Sequence, residues 1–185
     1  MNIDNPKELL KYMESINYGY LTKSGKIYRE NDSNFNDDWF NNYILSSSSD
    51  IEKNKIGNCW DQVEFEREWF SKNNYEVKTF FEIVDLSYNN NYPTHSFLCY
   101  KENDKWNWFE HADYLNRGIH EFSSLEELLK YQYLKYIDTL KKYNINDLEL
   151  NEIKIYEFIK PNKHITAKEY LEFVQKGEEV IWKYS

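Results

Sequence analysis

The sequence is short of positive charge and of long apolar runs, and each shortage excludes a class of protein. Lys and Arg number 23 against 32 Asp and Glu, which gives a formal net charge of -9 and a pI near 5.0. Binding to a nucleic-acid backbone needs a clustered basic surface, so we expect no nucleic-acid partner. No apolar run approaches the ~18 residues of a membrane span, so we expect no membrane partner either.

Cysteine is also scarce, and the start of the chain lacks the marks of a secreted protein. The first residues, MNIDNPKELL, contain neither the basic nor the apolar region of a signal peptide, so we expect a cytoplasmic location. In that compartment the two cysteines, Cys59 and Cys99, are expected to be thiols rather than a disulfide. No internal repeat or long linker divides the 185 residues, so we predict one domain over 1–185 with one aromatic-rich core.

Helical and strand periodicities along the chain predict an α+β fold with a mostly antiparallel sheet. The predicted helices, each marked by a capping residue or an apolar stripe, cover 6 to about 19, 59–72, 124–143 and 166–177. The predicted strands cover 76–84, 94–101, 105–110, 152–159 and an edge strand at 180–184. The serines at 46–49 are typical of a loop, and Ser24 and Gly25 of a hairpin turn.

Cys59 stands at the predicted start of the second helix, where Gly57 and Asn58 interrupt the preceding segment. The thiolate rather than the thiol is the nucleophile, and a helix N-terminus favours it through unpaired N–H groups and the positive end of the helix dipole. Position alone does not distinguish such a nucleophile from a small buried hydrophobe. The interpretation of Cys59 as a nucleophile therefore depends on finding a base near it.

His95 and Glu110 lie on the two strands of a predicted hairpin. If its turn is centred between Glu102 and Asn103, His95 stands directly opposite Glu110, and their Cβ atoms are about 5 Å apart on one face of the sheet. A carboxylate in that place fixes the tautomer of the imidazole and leaves its other nitrogen free to take a proton from a thiol. A slip of one residue would put the two side chains on opposite faces.

Four segments in chain order, GNCWDQVE, PTHSFLCY, WNWFEHA and GIHEF, resemble the transglutaminase-like superfamily, in particular its small bacterial members of papain-like topology. In that family a cysteine begins the central helix, a histidine lies on a following strand and an acid ends the next strand. Cys59, His95 and Glu110 match these positions, and the resemblance is strongest over 57–122. It implies an antiparallel sheet packed against the helix that carries the nucleophile, and the activity of a cysteine peptidase or amidase.

The third position departs from the family pattern, because the family usually has Asp where this chain has Glu110. Asp113, three residues later, is therefore a second candidate for the acid. For the oxyanion hole, the Cys59 N–H is the natural first donor and Gln62 is a candidate for the second. The candidate substrate-binding residues are Trp60, Gln62 and Trp108.

Several other side chains have a simpler interpretation than function. Trp60, beside the nucleophile, is suited to packing as well as to substrate contact. Cys99 shares a strand face with His95 and is expected in the core. The remaining histidines are expected at the surface: His111, His120 and His164.

Three functions fit these residues, and the sequence leaves the choice among them open. The first is acyl transfer through a thioester, with hydrolysis of a peptide or protein substrate by a Cys-His-Glu triad, or transamidation, as the second step. The second is metal binding by Cys59, Cys99, His95 and His111, whose spacing is poor for zinc, so we expect no metal and no cofactor. The third is a binding module that keeps the fold without the activity.

Overall fold

The computed structural model describes residues 3–35, 37–85 and 92–180. Within these ranges the chain forms seven helices: α1 (Pro6–Met13), α2 (Trp39–Asn42), α3 (Ser48–Asn54), α4 (Cys59–Lys72), α5 (Leu125–Lys142), α6 (Asp147–Leu150) and α7 (Ala167–Val174). The same ranges contain nine strands: β1 (Gly19–Thr22), β2 (Ile27–Arg29), β3 (Tyr43–Ile44), β4 (Glu76–Val84), β5 (His95–Glu102), β6 (Lys105–Glu110), β7 (Gly118–Phe122), β8 (Ile153–Glu157) and β9 (Glu178–Glu179).

These strands form two sheets whose neighbouring strands are all antiparallel. The larger sheet has the order β7-β6-β5-β4-β8-β9, and the smaller has the order β2-β1-β3. The predicted α+β class is confirmed, and α4, β4 and β6 have the predicted bounds. Because β5 and β6 are antiparallel, the start of β5 and the end of β6 lie at the same end of the larger sheet.

Helices cover both faces of the larger sheet. Side chains alternate along a strand, so β5 presents Leu98 and Tyr100 to one apolar cluster, and Phe97 and Cys99 to another. The first cluster contains residues of α4: Cys59, Trp60, Val63, Phe65 and Phe70. The second contains residues of α5: Leu128 and Leu129. Most of the largest fully buried side chains are aromatic, as the composition predicts.

The first helix is shorter than predicted, because α1 ends at Met13 and Gly19 begins β1 instead of ending the helix. Gly19 allows a close approach between strands. A Cβ at this position would meet the Tyr28 carbonyl oxygen of β2 at 2.3 Å and the Ile56 side chain at 2.5 Å. The glycine therefore marks the start of a tightly packed strand.

The serines at 46–49, expected to form a loop, do so only in part: Ser46 and Ser47 precede α3, and Ser48 and Ser49 form its start. Ser47 caps this helix by accepting the N–H of Asp50, whose carboxylate accepts the N–H of Ser47 in return. The hairpin at Ser24 and Gly25 is confirmed, with Gly25 at φ 81° between β1 and β2.

Two predicted features fall partly outside the described residues. The segment between β4 and β5, predicted to be a loop over 85–93, lies outside them at 86–91, and the edge strand predicted at 180–184 lies outside them at 181–184. Within the described part, Glu178 and Glu179 pair with β8 at the edge of the larger sheet. None of the described helices is long and apolar enough to cross a membrane.

Candidate active site

Helix α4 begins at Cys59, and its first turn is held by a capping box. The Asn58 side chain accepts the backbone N–H groups of Trp60 and Asp61 at 3.0 and 3.2 Å, and the Asp61 carboxylate accepts the N–H of Asn58 at 3.0 Å. The Cys59 N–H has no acceptor among residues 3–35, 37–85 and 92–180. Cys59 therefore presents both its thiol and its N–H at the positive end of a 14-residue helix.

Asp61 ties this helix start to the smaller sheet. Its second carboxylate oxygen accepts the Ser46 N–H at 2.7 Å and the Tyr43 hydroxyl at 2.9 Å. The side chain is fully buried, and burial raises its pKa to about 6 against the effect of these hydrogen bonds. Asp61 thus fixes the end of the smaller sheet against the helix that carries the candidate nucleophile.

The hairpin of β5 and β6 has a different register from the predicted one. Its turn residues are Asn103 and Asp104, at φ 51° and 59°, and Glu102 pairs with Lys105. Asn and Asp tolerate the left-handed backbone that a two-residue turn requires, and Glu does not tolerate it as well. The prediction of a turn centred between Glu102 and Asn103 is therefore wrong by one residue, which shifts the strand pairing by two.

His95 and Glu110 nevertheless meet, as diagonal rather than direct partners. A shift of two residues keeps both side chains on one face of the sheet, and the strand pairing ends at Leu98 and Phe109. Nε2 of His95 lies 2.8 Å from Oε2 of Glu110. Diagonal neighbours are within reach of long side chains, so the extra methylene of glutamate, compared with aspartate, suits this separation.

The Glu110 carboxylate is buried and is oriented by two further donors. Oε2 also accepts the indole N–H of Trp108 at 3.2 Å, and Oε1 accepts the backbone N–H of Asp113 at 2.8 Å. Only 2% of Glu110 is exposed, so solvent competes little with these bonds. The carboxylate therefore has a fixed direction toward His95.

Asp113, the second candidate for the acid, does not face the histidine. Its own carboxylate accepts the Leu115 N–H at 3.1 Å and the Asn116 side-chain amide at 2.5 Å. Asp113 contributes to the site through its backbone N–H, which holds Glu110. The structure thus brings Glu110 rather than Asp113 to His95.

His95 connects this carboxylate to Cys59. Thr94, just before β5, contacts the start of α4: Cys59 Sγ lies 4.0 Å from the Thr94 carbonyl oxygen, and the Trp60 indole N–H donates to Thr94 Oγ1 at 3.2 Å. The His95 side chain interacts electrostatically with Cys59, and because Glu110 holds Nε2, Nδ1 is the nitrogen left for sulfur. Burial alone would lower the pKa of His95, but Glu110 and Cys59 outweigh it and raise this pKa well above its ordinary value.

Gln62 braces the loop before α4 instead of facing a substrate. Its amide nitrogen donates to the Gly57 carbonyl oxygen at 2.7 Å, and its amide oxygen lies 2.7 Å from Nδ1 of His111. His111 is 1% exposed, so the expectation that it lies at the surface is wrong. Burial, together with the charge of Arg117, lowers the pKa of His111 to about 4, so this ring is neutral near pH 7.

The two tryptophans considered for substrate binding are almost fully buried. Trp60 stacks on Tyr170 with ring centroids 4.5 Å apart, and Trp108 stacks on His120 with centroids 4.6 Å apart. His120 is thus half-buried rather than at the surface. Each tryptophan borders one of two cavities at the site, while its indole N–H is used within the protein.

The two cavities meet at Cys59 and have different characters. The smaller, of about 330 Å³, is bordered mainly by aromatic and aliphatic side chains: Tyr20, Phe35, Trp39, Phe40, Trp60 and Leu171. The larger, of about 850 Å³, is bordered largely by polar and charged ones: Glu82, His95, Asp113, Arg117, Lys135 and Asp138. Tyr18, which the sequence analysis did not single out, borders both cavities. Both volumes suit small ligands or side chains.

Two further carboxyl groups, Glu66 and Glu82, are buried beside the pair of His95 and Glu110. Glu66 lies on α4, and Glu82 pairs directly with His95 across β4 and β5. Burial raises the pKa of both, that of Glu82 to about 8, and the Glu110 charge adds to the effect. No motif in the sequence singles out Glu66, but the single charge inside the apolar run TFFEIV is a signal for Glu82.

Replacing Glu82 with Gln is expected to flatten the fall of stability with rising pH. The folded-state pKa of about 8 lies above the ordinary value of 4.5, so folding takes up a proton between these values. Such a group lowers the free energy of unfolding by up to about 1.4 kcal/mol per pH unit in that window. The decrease in melting temperature from pH 6 to pH 8 should be larger in the wild type than in Glu82→Gln. The exposed strand residue Glu121, replaced with Gln, is the control and should melt like the wild type.

The four residues considered for a metal site do not converge. Cys59 and Cys99 belong to apolar clusters on different faces of the larger sheet, and His111 faces Gln62. In the described parts of the chain, no three or more His, Cys, Asp or Glu side chains are arranged to hold a metal ion. Cys99 is fully buried, as expected for a core residue, and burial raises its pKa well above the ordinary value.

Comparison of the chain with protein-family models, with curated proteins and with solved structures finds no match. The resemblance to the transglutaminase-like superfamily therefore stays an expectation based on four sequence segments. The function has to be argued from the arrangement of Cys59, His95 and Glu110.

Proposed function

We propose that the protein is a cysteine-dependent acyl-transfer enzyme that hydrolyses an amide or peptide bond through a thioester. The proposal is carried by one observation, the line of three side chains at the end of the larger sheet. Cys59 begins α4, His95 interacts electrostatically with it, and Glu110 lies 2.8 Å from Nε2 of the histidine ring. A papain-like, transglutaminase-like fold is part of the same proposal, supported by a helix-borne cysteine beside an antiparallel sheet.

The three residues divide the chemistry among them. Nδ1 of His95 takes the thiol proton, and Cys59 Sγ attacks the carbonyl carbon while the C=O electron pair moves to oxygen. When the tetrahedral intermediate collapses, the C–N bond breaks and the imidazolium gives its proton to the leaving amine. Water then gives a proton to His95 and attacks the thioester carbon. The C–S bond breaks, the acid is released, and the imidazolium returns its proton to sulfur, which restores the thiol. Glu110 stays ionised and stabilises the imidazolium throughout.

The cavities on either side of Cys59 support a peptide or protein substrate. An apolar side chain next to the scissile carbonyl fits the smaller, aromatic cavity, and polar groups of the same chain fit the larger one. Water can approach the thioester from the polar side. This supports hydrolysis over transamidation as the second step.

Cys59 is expected to react with iodoacetamide near pH 7 at least about tenfold faster than a free thiol such as N-acetylcysteine. The physical reason is the combination of a helix N-terminus with His95, which together favour the thiolate. Timed labelling followed by peptide mass spectrometry measures the rate at Cys59 and at Cys99. Cys99 should stay unlabelled in the folded protein and react at the same rate as Cys59 in urea.

Turnover is tested by incubating the wild type and Cys59→Ala with a library of peptides and amides. Release of carboxylic acids by the wild type alone would support hydrolysis, and formation of new amides with added amines would support transamidation. A Cys59 that labels no faster than N-acetylcysteine, with no turnover of the library, would contradict the proposal and favour a binding module.

A further inference from the structure

The tetrahedral intermediate proposed above needs hydrogen-bond donors for its oxyanion. The position of the nucleophile at a helix start assigns one of them, the Cys59 N–H. The Cys59 N–H is available at the start of α4, but Gln62 is engaged at both ends of its amide by Gly57 and His111. Oxyanion donors must be aimed at the place where the charge develops, next to Sγ of Cys59. A second donor should therefore border the two cavities where they meet.

Tyr18 lies at this place. It borders both cavities, as Cys59 does, it is half-buried, and its phenol interacts electrostatically with Cys59. Burial raises the pKa of the phenol well above its ordinary value, and the charges of Cys59, Glu30 and Asp61 add to this. The hydroxyl therefore keeps its proton near pH 7 and is available as a donor.

The backbone around Tyr18 is fixed to the segment that precedes the cysteine. The Asn17 N–H donates to the Lys55 carbonyl oxygen at 3.0 Å, and the Gly57 N–H donates to the Asn17 carbonyl oxygen at 3.1 Å. On the other side, the Glu30 N–H donates to the Tyr18 carbonyl oxygen at 3.1 Å. The hydroxyl is thus held by a scaffold that shares its anchors with the start of α4, which is the preorganisation an oxyanion donor needs.

We infer that Tyr18 is a catalytic residue whose hydroxyl donates to sulfur in the resting enzyme and to the oxyanion of the tetrahedral intermediate. When Sγ attacks the carbonyl carbon, negative charge moves from sulfur to the carbonyl oxygen, and the hydroxyl follows it. No covalent bond to Tyr18 forms or breaks, and the phenol keeps its proton. The inference rests on the proposed acyl-transfer function. Tyr18 contributes to the rate through a hydrogen bond that is stronger in the transition state than in the substrate complex.

Two reagents that react with the Cys59 thiol can separate donation to the oxyanion by Tyr18 from other effects of its hydroxyl. 4-Nitrophenyl acetate acylates a thiolate through a tetrahedral oxyanion, whereas iodoacetamide alkylates it by displacing iodide and forms no oxyanion. Tyr18→Phe is expected to lower the ratio of the acetylation rate to the alkylation rate at Cys59 by about 10- to 100-fold. Intact-mass and peptide mass spectrometry follow both reactions, and thermal melting checks that the variant is folded.

Tyr75→Phe is the matched control, because Tyr75 is half-buried like Tyr18, but its hydroxyl donates to Glu102 at 3.4 Å and it borders neither cavity. Its ratio should equal that of the wild type. An unchanged ratio in Tyr18→Phe would overturn the inference. Both rates would fall together if Tyr18 only stabilises the thiolate, and both would rise together if its ring only shields the sulfur from reagents. A wild type that is not acetylated at Cys59 would instead contradict the proposed function.

Discussion

A His95→Gln variant is expected to hydrolyse a 4-nitroanilide about 100- to 10,000-fold more slowly than the wild type. The anilide nitrogen needs a proton to leave, and the imidazolium of His95 supplies it. Nitrophenolate leaves without a proton, so the loss on the 4-nitrophenyl ester of the same acid should be much smaller. N-acetylphenylalanine is a suitable acyl group, because its ring fits the apolar cavity beside Cys59. Initial rates on the two substrates measure the difference.

The variant is chosen so that Glu110 keeps a partner. The glutamine amide can still donate to the buried carboxylate, which would otherwise lose a hydrogen bond made at 2.8 Å. Adding free imidazole should restore part of the anilide activity, which a merely structural role would not allow. His164→Gln, at an exposed histidine that contacts Asp50, should behave like the wild type. Equal losses on ester and anilide would contradict the assignment of His95 as the general acid.

The elements that carry the site could be predicted because their signals are local. Asn58 caps α4 by accepting the N–H groups of Trp60 and Asp61, and alternation along β4 and β6 sets the bounds of these strands. The same local chemistry gives Ser124 and Thr166 their places as caps of α5 and α7. Predictions of this kind depend on neighbouring residues in the sequence and need no knowledge of the tertiary packing.

The strand register was predicted wrongly although the sequence contained the signal for it. Asn103 and Asp104 are the residue types that tolerate a left-handed turn, and Glu102 is not one of them. The contact between His95 and Glu110 survives because an error of two residues preserves the face of the sheet. An error of one residue would have separated the two side chains.

Tyr18 and Asp61 could not be predicted, because their roles depend on contacts that no local pattern encodes. Tyr18 reaches Cys59 through the bridge between Asn17 and Ile56, which joins two segments far apart in the chain. In the sequence Asp61 is one polar residue in the first turn of a predicted helix, and only the packing of the smaller sheet gives it Ser46 and other partners. Both positions combine a polar group with burial, and burial is a property of the whole fold.

Among the acids around His95, the structure distinguishes Glu110 from its neighbours by its donors. One buried oxygen of Glu82 has no hydrogen-bond partner within the described part of the chain, and its pKa of about 8 keeps Glu82 neutral near pH 7. Glu110 accepts bonds from the Trp108 indole and the Asp113 backbone in addition to its bond with His95. Charge is therefore concentrated on the one carboxylate that holds the ring, and removing that charge should have a large effect.

Glu110→Gln is expected to lower turnover by about 10- to 1,000-fold, with a melting temperature only a few degrees lower. The amide oxygen can accept the Asp113 N–H, which leaves the NH₂ group facing His95 and Trp108. An NH₂ group donates to Nε2 of the ring, so the ring proton moves to Nδ1, the nitrogen that has to take the thiol proton. The imidazolium also loses its anionic partner. The contact between the amide and the Trp108 N–H costs about 1 kcal/mol, the lower end of the range for an unsatisfied buried donor, which lowers the melting temperature by about 2–4 °C in a chain of this size.

Asp113→Asn is the matched control, because it changes a carboxylate three residues away whose oxygens face Leu115 and Asn116. Its backbone N–H still holds Glu110, so turnover should stay within about threefold of the wild type. Initial rates and thermal melts of both variants, measured together, separate loss of charge from loss of structure. Abolished turnover in Asp113→Asn, with turnover intact in Glu110→Gln, would reassign the acid to Asp113. A large fall in melting temperature in Glu110→Gln alone would make Glu110 a residue that holds the hairpin together.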